Sequence, residues 1–430
     1  MKEPDRTQQP AIQSIDTFKS LSAEKIRLKN GIPVHLLQSG TEDVVKIDLM
    51  FRAGNWYQPK PLVAAATNEM LNEGTKTLSS EEIAYQLDYY GAFTQMNVNK
   101  DVATVTLLTL NKYLEQTLSI LAEIIQNPIF PEKEFQTYIK NKKQQFLLER
   151  SKVNSLSRIH FNEALFGPHH PYGKILKLED HEKVTPQDLR DFHQQYYLPQ
   201  NCEILVTGSL KPEMTNLLET YLGKKEWGSE TTPNIPVFTP APLPDMERYT
   251  EKDNAVQSAL RMGKILFNQH HPDFIELNVV NTILGGYFGS RLMKVVREEK
   301  GYTYGISSLL IPLVHEGYFV IVSEVGSGVC RDAIAAIKQE IKRLREELVG
   351  EQELTMVKNY LRGEILRSFD GPLPTASSYL KLIENSISED YYQRVIQTIS
   401  NIQPERIKEL ANQYLHEDTM KISIAGQCNS

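Results

Sequence analysis

At 430 residues, with 40% hydrophobic and 23% charged side chains, the chain is too long for one typical domain and has the balance of a globular protein with an ample core, so disorder is excluded as its basic state. A formal net charge of -7 and a pI near 5.9 leave no broad basic surface for condensing along a polyanion, so nucleic acid is not an expected partner. The three cysteines, Cys202, Cys330 and Cys428, show no C-x-x-C spacing, which argues against a disulfide framework and against a cysteine zinc site.

In chain order, the first twenty residues lack the apolar run of a secretory signal, and no later stretch reaches the length of a membrane span. A cytoplasmic, membrane-free protein is expected. IRLKNGIPVHLL (26 to 37) predicts a hairpin, with Asn30-Gly31 suited to a type I′ turn. VVKIDLMF (44 to 51) and DVATVTLLTL (101 to 110) predict further strands. Leu114, Leu118, Leu121 and Ile125 form a helical stripe that stops at Asn127-Pro128. The cluster Lys140, Lys142 and Lys143 is expected on a solvated helix face rather than in a phosphate patch. His160-Phe161-Asn162-Glu163 is a truncated H-x-x-E closed by Ala164 and reads as helix packing, and the pairs His169-His170 and His270-His271 fall in loops.

An internal duplication organises the rest. VTPQDLRDFHQQYYLPQNCEILVTGSL (184 to 210) overlays IQPERIKELANQYLHEDTMKISIAGQC (402 to 428) without a gap, pairing Pro186 with Pro404, Gln195 with Gln413, Tyr196 with Tyr414 and Gly208 with Gly426. Each copy predicts a helix opened by proline, a polar turn, and an alternating strand ending at glycine. Ile334, Ile337, Ile341, Leu344 and Leu348, before Gly350, are expected to repeat the stripe of 114 to 125. Between the copies, five prolines from Pro233 to Pro244 crowd into a semi-rigid spacer. The expected organisation is a first half at 1 to 230, a proline-rich linker at 231 to 246 and a second half at 247 to 430. The expected class is α+β, each half a largely antiparallel sheet packed with helices.

LVAAATNEMLNEGTKTLSSEEIAYQLDYYGAFTQMNVNKDVATVTL (62 to 107), with the hairpin before it and HPYG (170 to 173) after it, resembles the pitrilysin/insulinase (inverzincin) zinc peptidases, which carry H-x-x-E-H on a helix. The resemblance implies two sandwich halves facing each other across a chamber. It aligns Ala65 with the first histidine, Asn68 with the glutamate and Glu69 with the second histidine, so neither the metal ligands nor the base of that family stand here. The family's third ligand, a glutamate about seventy-five residues on, falls in KNKKQQFLLER, where Lys143, Gln144 and Gln145 are nearest and Glu149 comes late.

LGGYFGSRLMKVVREEKGYTYGISS (284 to 308) is similar to the family's second-domain motif and puts Arg297 and Tyr304 on its substrate-binding arginine and tyrosine. Outside that context Arg297 reads as a solvated helix end and Tyr304 as a strand residue. Gly285, Gly286 and Gly289 lack the G-K-[ST] of a phosphate loop and suggest tight turning before a helix. The strand after Gly91, near Gln95 to Val98, falls where the family holds extended peptides at a sheet edge.

The expectation is a non-catalytic subunit with no cofactor and no peptidase activity of its own. It would lend Arg297 and Tyr304 to a zinc-bearing homologous partner, or to a self-association, acting on unfolded peptides. The alternatives are a structural or peptide-binding assembly protein without a proteolytic role and, last, an enzyme with an unfamiliar site.

Overall fold

The structure, a computed structural model, describes Thr7, residues 22 to 224, 227 and 233, and residues 235 to 428. The segment read for a leader lies outside the described residues except for Thr7, as do linker positions 231, 232 and 234.

Two sheets form the framework, and several of their inner strands are buried at nearly every position. The first joins β1 (Glu24–Arg27), β2 (Pro33–Gln38), β3 (Val44–Phe51), β4 (Phe93–Val98), β5 (Ala103–Leu110) and β6 (Cys202–Gly208) in the order β1-β2-β6-β3-β5-β4. The second joins β7 (Glu247–Glu251), β8 (Gln257–Leu266), β9 (Thr303–Pro312), β10 (Gly317–Gly326) and β11 (Lys421–Gly426) in the order β7-β11-β8-β10-β9. β2 with β6 and β7 with β11 are parallel, and every other pairing is antiparallel. β6 and β11, the strands of the duplicated segment, therefore hold the same place, between a parallel neighbour and an antiparallel one. The fold is α+β, two sheet-and-helix halves of repeated topology.

The helices of the first half are α1 (Val63–Glu69), α2 (Ser80–Tyr89), α3 (Leu114–Gln126), α4 (Glu132–Ser151), α5 (Val153–Phe166), α6 (Pro186–Tyr196) and α7 (Met214–Leu222). Those of the second are α8 (Phe274–Asn281), α9 (Cys330–Glu346), α10 (Glu351–Arg367), α11 (Pro372–Glu384), α12 (Tyr391–Asn401) and α13 (Pro404–Tyr414). The stripe expected to run to Leu348 stops earlier, since α9 ends at Glu346 and leaves Leu348 exposed beyond it. Proline opens both α6 and α13, and at α6 a Thr185/Asp188 capping box satisfies the first free amides.

The hairpin at 24 to 38 forms, but not on a two-residue type I′ turn. β1 and β2 are joined by a five-residue loop, Leu28 to Ile32, in which only Gly31 has positive φ, at 93°. The Asn30 amide donates instead to the Leu222 and Lys224 carbonyls at 2.7 and 3.3 Å, and this contact with the end of α7 widens the turn.

Chain order and packing part company at one pair of helices. α5 belongs to the first half by sequence yet packs on β8 and β11, while α11 belongs to the second and packs on β6 and β3. At one crossing the fully buried Ser157 and Ser423 exchange hydroxyl-to-carbonyl hydrogen bonds at 3.0 and 3.1 Å. At the other, Leu37, Met50 and Leu205 close a core with Ala376, Tyr379, Leu382 and Ile383.

Arg52, just past β3, donates to the Glu384 and Ile383 carbonyls at 2.5 and 3.2 Å, placing a cation on the carbonyls at the end of α11. Arg52→Ala is expected to cost about 1.5–3 kcal/mol, as for a hydrogen bond to a charged group, read as a lowered urea midpoint. An unchanged midpoint would show that the exchanged helix is held by apolar packing alone.

Candidate functional site

α1 is short and rich in alanine, so its backbone lies close to the sheet. Val63, Ala64, Ala66, Thr67 and Asn68 are buried, leaving Ala65 and Glu69, one helical turn apart, on the open face. Asn68 points inward. Its amide donates to the Asn97 and Thr104 carbonyls at 3.1 and 3.4 Å, and its oxygen accepts from the Tyr197 hydroxyl at 3.0 Å. It thus serves as a satisfied core link between α1, β4 and β5. Ala65 borders a cavity of about 670 Å³, enclosed by α1, α4, α5, the 169 to 176 loop and linker residues Pro236 and Phe238.

Lys142 of α4 meets Glu69, with Nζ at 2.6 Å from the carboxylate. Sequence spacing pointed to Lys143 through Gln145 and put Lys142 on a solvated face. The helix instead turns Lys142 inward, while Lys143 pairs with Glu182 at 2.9 Å. Glu149 lies two turns on, about 10 Å along the axis. Its carboxylate is taken by Lys152 and Ser155 at 2.7 and 2.6 Å, which holds its pKa below the usual range.

Zinc does not fit this donor set. Ala65 has no lone pair, both ends of Asn68 are engaged, and the one carboxylate facing α4 is neutralised by an ammonium. Among the described residues no group of three or more His, Cys, Asp and Glu side chains could hold a metal ion. His160 bonds Thr250 at 2.7 Å, His270 bonds the Asn385 carbonyl at 2.8 Å, and His271 stacks on Phe267 with ring centroids 3.7 Å apart.

The segment around HPYG is a latch between the halves. Tyr172 donates to Asp101, whose second oxygen accepts from the Val314 amide at 3.2 Å, while His315 stacks on Trp56 at 3.9 Å. The tip of the β9–β10 hairpin is thereby clamped onto the first half. Trp56 also donates to the Pro236 carbonyl at 2.9 Å, so the linker is tied down beside it.

Arg297 and Tyr304 are not among the residues that line the Ala65 cavity. The segment that carries them contains two stretches of π-helix, Thr282–Gly286 and Met293–Glu299. Gly285 is therefore not in a turn. It permits close packing, because a Cβ there would stand 2.6 Å from the Ser308 amide of β9. The Arg297 guanidinium sits 4.7 Å from the centre of the Phe288 ring and 3.9 Å from Glu298.

Tyr304 is 89% exposed at the start of β9, the edge strand of its sheet. The register with β10 shifts there, between Ser323 and Val325. Thr303 Oγ1 donates to the Glu324 carbonyl at 2.6 Å and Ser323 Oγ donates to the Gly305 carbonyl at 2.9 Å, fixing the bulge that turns the phenol outward.

Two family descriptions match the chain: Insulinase (Peptidase family M16) over residues 34–167 and Peptidase M16 inactive domain over 183–361. An uncharacterized zinc protease of Bacillus subtilis, YmxG, is 23% identical over 91% of this chain and 95% of its own length. A probable mitochondrial-processing peptidase subunit beta of Arabidopsis thaliana is 20% identical over 94% of this chain and 79% of its own. The solved structure of a peptidase M16 inactive domain from Pseudomonas fluorescens superposes with a TM-score of 0.87 at 22% identity, covering 95% of this chain and 99% of that one. With both halves matched and the whole fold shared, the chain belongs to the insulinase (M16) peptidase family.

Proposed function

We propose that this chain is a non-catalytic subunit that works with a zinc-bearing homologue, supplying Arg297 and Tyr304 to bind peptide in a shared chamber. The observation that carries the reading is an asymmetry. The positions aligned with the metal ligands hold Ala65 and a Glu69–Lys142 ion pair, whereas a bulge presents Tyr304 outward on an edge strand, close in sequence to Arg297. Guanidinium and phenol are donors suited to a peptide carbonyl or the oxyanion formed from it. The Arabidopsis relative is named a probable subunit of a processing peptidase, which supports a divided arrangement.

The test is reconstitution with a homologue that carries an intact H-x-x-E-H motif. Peptide cleavage is expected from the mixture and not from this chain alone, and Arg297→Ala here is expected to lower it about tenfold, the worth of one charge-assisted hydrogen bond. Full cleavage by the partner alone, unchanged by Arg297→Ala, would overturn the proposal.

β4 favours a second reading, a peptide-binding assembly protein. It is one edge of the first sheet, with Phe93 60% exposed, and an extended segment can add to such an edge. On that reading Arg297→Ala and Tyr304→Phe leave every function unchanged, while proline substitution at Gln95 abolishes binding.

A further inference from the structure

We infer that the cavity beside Ala65 is a binding site for the carboxylates of an acidic peptide. Five cationic side chains line it, Lys100, Lys142, Arg150, Arg158 and Lys174, against one carboxylate, Glu149. Both sides must be corrected for pairings already made. Lys142 is spent on Glu69 and Glu149 is spent on Lys152. Arg150 donates only to the neutral Leu176 carbonyl at 2.5 Å and lies over Phe146. Lys100, Arg158 and Lys174 make no ion pair among the described residues. The cavity wall thus keeps four cations outside any ion pair, with Asp101, Glu149, Glu163 and Asp180 near enough to offset their charge only in part.

Position sharpens the point. Lys100 is half-buried in the tight connection between β4 and β5, where its carbonyl is fixed by the Trp56 amide at 2.8 Å. Its ammonium is pushed below the ordinary lysine range by burial and then by Arg158, with Asp101 partly opposing. A cation so placed, with a second one near it, is stabilised by an anion that enters the cavity.

The rest of the wall says what carries the anion. Trp56, Tyr57, Phe146 and Phe238 are aromatic, so the ligand brings apolar surface as well as charge. At about 670 Å³ the space is in the range of ligand pockets and takes a few residues of chain. An acidic peptide segment meets both requirements, through Asp or Glu side chains or through its terminal carboxylate.

The experiment uses fluorescein-labelled hexapeptides and the full chain, read by anisotropy. Four versions are compared: an acidic sequence with a free C-terminus, the same sequence amidated, its Asn/Gln counterpart with a free C-terminus, and that counterpart amidated. Acidic peptides are expected to bind at least tenfold more tightly than the neutral amide, and amidation separates the terminal from the side-chain source. Arg158→Ala, on the exposed face of α5, and Lys100→Met are each expected to weaken binding about tenfold, with circular dichroism confirming the fold. Lys112→Ala, remote from the cavity, is expected to change nothing. Equal binding of acidic and neutral peptides, or binding untouched by both cavity variants, would overturn the inference. The assay contains no partner subunit and does not involve Arg297 or Tyr304, so its failure is distinct from failure of the divided-peptidase reading.

Discussion

The triple variant Ala65→His, Glu69→His, Lys142→Glu is expected to take up one zinc ion per chain and to keep it through dialysis, where the parent chain takes up none. The backbone prerequisites are present. Ala65 and Glu69 share the open face of α1 one turn apart, and Lys142 already reaches Glu69 across the gap to α4 at 2.6 Å. Ala65 borders open volume, so an imidazole has room there. Asn68 is left alone on purpose. A glutamate at that position would be buried against the Asn97 and Thr104 carbonyls, which accept from the present amide and would repel a carboxylate. Bound zinc stabilises by mass action, about 4 kcal/mol when free metal exceeds Kd a thousandfold, and a thermal shift reads this alongside metal analysis. A folded variant without zinc would mean that Lys142 does not stand at the third ligand's position.

The second large effect is acid lability centred on His170. His170 is 3% exposed, its ring is stacked on Phe166, and its Nδ1 accepts from the Tyr172 amide at 3.2 Å, a role open only to the neutral form. Burial, then Lys100 and His315, pull its pKa down to about 4 from an ordinary 6.5. The folded state therefore binds fewer protons than the unfolded one between these values. Its contribution is fully present above pH 6.5 and is lost as pH falls toward 4, on the order of 3 kcal/mol for the whole span. His170→Asn, which keeps an acceptor but does not titrate, is expected to flatten the dependence of the urea midpoint on pH in that window by a comparable amount. An identical slope in variant and parent would assign the lability to carboxylates instead.

Much of the architecture is legible in the sequence because it depends on local pattern. VVKIDLMF coincides with β3, the stripe from Leu114 to Ile125 is α3, and the 218-residue register of Pro186 and Pro404 opens two equivalent helices. What was not legible depends on partners distant in the chain. The pattern of α5 shows that one face is apolar, but not that the face meets β8 and β11. Lys142 was missed because a count of residues from α1 does not fix the rotation of α4, and a shift of one residue turns a helical side chain by about 100°. The outward set of Tyr304 rests on Ser323 across the sheet, which no spacing within GYTYG reveals. Asn30 illustrates the converse, since a good local turn preference gave way to two carbonyls at the end of α7.

The exchange of α5 and α11 also bears on how the molecule is made. During synthesis the first sheet is complete once β6 has emerged at Gly208, yet the helix that covers β3 and β6 ends at Glu384. At about 5–20 residues per second, the roughly 180 intervening residues leave Leu37, Met50 and Leu205 without their apolar lid for roughly 10–35 s. The nascent chain spends that interval as a natural client for holdase chaperones, and a gene split at the proline-rich linker would yield two fragments that each lack one wall.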